Sequence, residues 1–98
     1  MEKSKVIEMA FEIISYSGDA IDQFYEAINC YKKNNIEEAR EHFQCGSDHL
    51  NKAHKVQTVL IQSEVNEEEI PYSLIMTHAQ DHLTSAINWQ RIVRLQEE

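Results

Sequence analysis

Apolar positions advance along this chain in steps of three and four. Val6, Met9, Ile13, Ser17, Ala20, Phe24, Ile28 and Tyr31 form one such series. That spacing places them on one face of a helix and predicts a first helix over about 4–31. Gly18 interrupts the helix and costs ~1 kcal/mol against alanine there, so it calls for close backbone packing or a kink. Lys32–Asn35 has no apolar residue. Asn35 then reads as an N-cap with Glu38 three positions on, the pattern of a capping box.

A second series, Ile36, Ala39, Phe43, Gly46, Leu50, Ala53, Val56 and Leu60, predicts a helix over about 36–63. The acidic run around Glu67, Glu68 and Glu69 reads as a solvated loop or first turn. Pro71 suits a helix start, because its missing N–H is not needed in the first turn. The third stripe, Tyr72, Ile75, Ala79, Ala86, Trp89 and Val93, predicts a helix over about 71–96, with His82 interrupting it. Short connections make neighbouring helices antiparallel. The prediction is all-α: an antiparallel three-helix bundle in a single domain, 1–98.

Composition agrees with this. Only two glycines and one proline are present, too few for the many turns of a β-sandwich. A 42% hydrophobic content is too high for a disordered chain. The formal charge of −8 argues against nucleic acid and anionic membranes, and fits either a basic protein partner or mere solubility. No apolar run approaches the ~18 residues of a membrane span, so no direct membrane insertion is expected. Cys30 and Cys45 form neither a disulfide framework nor a C-x-x-C pair. With no signal-like start, the expectation is a cytoplasmic chain with reduced thiols.

The third helix carries the candidate chemistry. His78 has Asp81 at i+3 and His82 at i+4, and Ser85 and Asn88 continue the face. Short polar groups, rather than Lys and Glu, occupy this stripe. Three readings fit. A histidine oriented by a nearby aspartate can be a nucleophile. Two histidines with an aspartate between them can hold a transition metal. A half-buried polar face needs neither. A second group, His42, Cys45 and His49, has a spacing compatible with zinc but lacks a fourth ligand, and edge packing is the favoured reading.

Three blocks carry a resemblance: THAQDHLTSA (Thr77–Ala86), AHKVQTVLIQSE (Ala53–Glu64) and SGDA (Ser17–Ala20). In this order and separation they resemble the enzyme IIA family of bacterial sugar phosphotransferase systems, lactose/cellobiose class. The resemblance implies a homotrimer of three-helix subunits. It implies that His78 accepts a phosphoryl group on Nε2 from the phosphocarrier HPr. The group would pass to a cysteine of the cognate enzyme IIB, and on to a disaccharide during uptake through enzyme IIC. It implies that Gln80 and His82 stand beside the active site. It implies that Asp81 holds one structural Mg²⁺ per trimer. Phe24 and Tyr25 are bulkier than the family pattern at those positions, and Thr84 stands where methionine is common. Two other classes remain in view: a helical regulatory or interaction module of the same fold, and a metal-binding helical protein.

Overall fold

The computed structural model describes residues 1–97. Three helices form a bundle: α1 (Lys3–Lys32), α2 (Ile36–Val65) and α3 (Leu74–Leu95). The bundle is a rod of 49 × 20 × 15 Å. Its core is a column of small and branched side chains. Val6, Met9, Ala10, Ile13, Ala20, Phe24, Ala27 and Cys30 come from α1, Ala39, Leu50, Ala53 and Leu60 from α2, and Ala79, Leu83, Ala86 and Val93 from α3. Alanine at so many contact positions lets the helices approach closely, and Phe24 supplies the largest fully buried side chain.

Both long helices end in the same device. Asn34 N–H donates to the Tyr31 carbonyl at 3.0 Å and Asn35 N–H to the Cys30 carbonyl at 2.8 Å. Glu67 N–H donates to Glu64 at 3.0 Å and Glu68 N–H to Ser63 at 3.0 Å. These nested bonds are Schellman motifs, with Asn34 (φ 62°) and Glu67 (φ 63°) at the left-handed position. Asparagine tolerates that conformation; glutamate does so at a cost.

Several local expectations change. Asn35 does precede α2, but its side chain caps nothing, so no capping box forms. The third helix begins at Leu74, not Pro71. The chain between α2 and α3 is not helical, and it is tied down from outside. The Met1 amino group donates to the Glu69 carbonyl at 2.8 Å and pairs with the Glu68 carboxylate at 3.3 Å, and Ile70 packs against the core. Glu67–Glu69 therefore belongs to this connection, not to a helical first turn. Tyr72, expected on the buried stripe, is 75% exposed, while Leu83 is buried. The close packing anticipated at Gly18 occurs at Gly46 instead. A Cβ on Gly46 would stand 2.6 Å from Phe24 Cε1, whereas one on Gly18 would meet nothing within 4 Å. The helix passes through Gly18 without interruption.

Candidate functional site

Three of the four singled-out residues of α3 are brought together. His78, Asp81 and His82 line one shallow cleft with Ser85. Helical periodicity alone does this, since offsets of three, four and seven residues share a face. Buried Ala79, Leu83 and Ala86 on the opposite side fix the rotation of α3 and turn this face outward. His78 and Asp81 are exposed, and His82 and Ser85 are half-buried.

The two imidazoles meet edge to face, with centroids 4.5 Å apart and planes at 89°. His82 Nε2 lies 3.0 Å from His78 Nε2. Such a contact holds one proton, so one nitrogen donates and the other offers its lone pair. If His82 donates, the His78 Nε2 lone pair accepts that bond, and it is freed for an electrophile only when the exposed His82–His78 contact opens. Among the described residues no lysine or arginine lines the cleft.

Gln80 is placed elsewhere. Gln57 Nε2 donates to Gln80 Oε1 at 2.7 Å, and Gln80 Nε2 donates to Met76 Sδ at 3.3 Å. Its amide is thus engaged between α2 and α3, on a different face from His78. The Gln57 contact was not anticipated from sequence, because the two residues lie 23 positions apart and only helix pairing joins them.

The structural Mg²⁺ expected at Asp81 is not supported. Among the described residues no three His, Cys, Asp or Glu side chains gather to hold a metal ion. Magnesium and calcium require several oxygen ligands in a defined shell, and among the described residues Asp81 is the one carboxylate lining its cleft. The transition-metal reading of His78 and His82 falls on the same observation, as does zinc at His42, Cys45 and His49. His42 Nδ1 instead meets the Gln23 side-chain Oε1 at 2.7 Å, while Cys45 is exposed.

The family model described as the lactose/cellobiose-specific IIA subunit of the PTS system matches residues 8–96. Among curated proteins, the lactose-specific EIIA component of Staphylococcus epidermidis is 36% identical over 87 residues, covering 89% of this chain and 84% of that protein. The lichenan-specific phosphotransferase enzyme IIA component of Bacillus subtilis is 41% identical over 80 residues, covering 82% and 73%. Among solved structures, PtcA from S. mutans superposes with a TM-score of 0.93 at 33% identity, over 100% of both chains. The cellobiose-specific enzyme IIA from Bacillus anthracis gives 0.89 at 33% identity, over 98% of this chain and 86% of that one.

Proposed function

The chain belongs to the lactose/cellobiose-specific IIA family of the sugar phosphotransferase system, and from that premise we propose that His78 is the residue that carries its phosphoryl group. The family's general work is phosphoryl transfer. The observation that carries the assignment to His78 is its exposed imidazole with Nε2 3.0 Å from His82 Nε2.

In the acceptor step the His78 Nε2 lone pair attacks the phosphorus of a phosphohistidine on HPr. A new N–P bond forms as the old one breaks, and the donor nitrogen recovers its electron pair. For this the His82 Nε2–H leaves the His78 nitrogen as the phosphorus approaches and turns to a phosphoryl oxygen, which frees the lone pair that attacks. Ser85, one heptad beyond His78, supplies a hydroxyl in the same cleft. In the second step a thiolate of enzyme IIB attacks the same phosphorus, and His78 leaves with its lone pair restored.

The cleft's electrostatics suit a carrier that must give its cargo away. A fixed cation would trap a dianion, and the cleft has none. Asp81 adds a like charge beside the phosphoryl group, which disfavours tight retention. Positioning, not strong binding, is what this surface offers.

The exposed surface of the subunit supports a reading in which it assembles. A monomer of 11.5 kDa ordinarily exposes about 5,800 Å². This rod exposes 6360 Å², with Phe11, Tyr25, Ile92 and Leu95 among its exposed apolar side chains. Our reading is a homotrimer of antiparallel three-helix subunits that buries part of this surface. The relay partners in this reading are HPr, enzyme IIB and, through it, enzyme IIC for a disaccharide. No described helix is long and apolar enough to cross a membrane, and we place the carrier in the cytoplasm, where its phosphoryl donor would be.

The test is incubation with phosphoenolpyruvate, enzyme I and HPr, followed by intact-mass spectrometry. The expected result is a gain of one phosphoryl group, labile in acid and absent from His78→Ala. A folded His78→Ala protein that still gains the group would refute the assignment.

A further inference from the structure

At the end of the bundle where α1 turns into α2, a cleft of about 210 Å³ is lined by Tyr31, Arg40, Phe43, Val93, Arg94 and Glu97. It lies roughly 22 Å along α3 from His78, counting 1.5 Å per residue to Val93. Its floor is apolar, from Phe43 and Val93. Its rim is cationic, in a chain whose overall charge is −8. Two of the chain's three arginines stand here.

The rim is already arranged around a carboxylate. Arg40 donates from Nε to Glu97 Oε1 at 2.8 Å and from Nη2 to Glu97 Oε2 at 3.2 Å, a two-pronged grip. The Tyr31 hydroxyl donates to the same Oε1. Arg94 has its guanidinium 5.7 Å from the centre of the Phe43 ring, and no carboxylate pairs with it among the described residues. The gripped carboxylate belongs to a residue beyond the last turn of α3, which ends at Leu95. Releasing it breaks no helical hydrogen bond in the body of the bundle.

We propose that this cleft is a binding site for a small organic carboxylate with an apolar body, and that Glu97 occupies it in cis. The ligand's carboxylate would replace that of Glu97 between Arg40 and Tyr31. Its apolar body would lie against the half-buried Phe43 ring, with buried Val93 at the floor behind it. Arg94 stands at the mouth as a second cation. The shifted titration of the trio agrees with a well-formed anion seat: the Glu97 carboxyl is lowered to about 2, first by Arg40 and then by Tyr31, and burial and Glu97 push Tyr31 up to about 12. The inference is independent of the role given to His78.

The probe is sodium benzoate, titrated into the full-length chain and followed by amide NMR shifts of Arg40, Phe43 and Val93, with sodium chloride as control. Glu97→Gln and Glu97→Ala should each bind benzoate roughly tenfold more tightly than wild type, since the internal competitor is gone. Arg40→Gln placed on top of Glu97→Gln should abolish the saturable response. The proposal fails if neither Glu97 variant shows saturable shifts at these amides beyond those from chloride. It fails equally if binding survives loss of the Arg40 guanidinium, or if benzoate shifts cluster elsewhere.

Discussion

His78 and His82 share a single proton across 3.0 Å between their Nε2 atoms, one helical turn apart on α3. The contact orients His78 without any third residue. It also places a donor beside the nitrogen that the proposed chemistry uses. His82→Ala should therefore slow phosphoryl acceptance from HPr by about tenfold to a hundredfold, the worth of one hydrogen bond to a charged group. His82→Gln, whose amide N–H can reach the same region, should recover part of the loss. Quench-flow phosphorylation rates decide this. Equal rates for wild type and His82→Ala would remove His82 from the mechanism.

The two glycines should respond oppositely to alanine. At Gly46 the added methyl meets the fully buried Phe24 ring at 2.6 and 2.8 Å. Overpacking of this kind costs ~1–3 kcal/mol, which outweighs the ~1 kcal/mol of helix propensity regained. At Gly18 the methyl meets no atom, so Gly18→Ala should stabilise the subunit by ~0.5–1 kcal/mol. Urea denaturation of both variants tests the pair. A stabilised Gly46→Ala would show that α1 and α2 separate more easily than the packing indicates.

Glu67 holds a left-handed conformation at φ 63° that glycine adopts freely. Glu67→Gly should raise stability by ~0.5–1 kcal/mol, with the Schellman bonds to Glu64 and Ser63 retained. The measurement is the urea midpoint at unchanged slope. A loss of stability would mean that the Glu67 side chain contributes something beyond the turn.

The Glu97 carboxyl titrates at about 2, below its ordinary range, because Arg40 and Tyr31 bond its charged form. A depressed acid contributes stability above its unfolded pKa and loses it as pH falls through the folded value. Wild type should thus exceed Glu97→Gln in stability above about pH 5, and the two curves should converge near pH 2. Tyr31, raised to about 12, keeps its share below pH 10 and surrenders it as pH climbs through 12. Because Glu97 is exposed, the difference should be small and shrink further in high salt. Parallel curves across the acid range would show that the ion pair does not form in solution.

The helical stripes were legible because each keeps one period over many turns. Val6, Met9, Ile13, Ala20 and Phe24 all reached the core as read from their spacing. The helix ends were less legible, because their signals are not the usual ones. The left-handed positions carry Asn34 and Glu67 rather than glycine, and α3 starts at Leu74 although Pro71 suits a first turn. At the candidate site, the cleft of His78, Asp81 and His82 followed from spacing within one helix. What spacing could not give was the direction of the Gln80 amide, which depends on Gln57 across the bundle. The grip of Tyr31 and Arg40 on Glu97 was invisible for the same reason, since its members come from three segments of the chain.

His78, Asp81, His82 and Ser85 all project from a single continuous helix, so their mutual arrangement owes nothing to any long-range loop. A cluster written within eight consecutive residues is a portable cassette. Transplanted onto the outward face of an unrelated stable helix, it should reproduce the paired imidazoles. What it would leave behind is recognition: the surrounding surface that tells one docking protein from another.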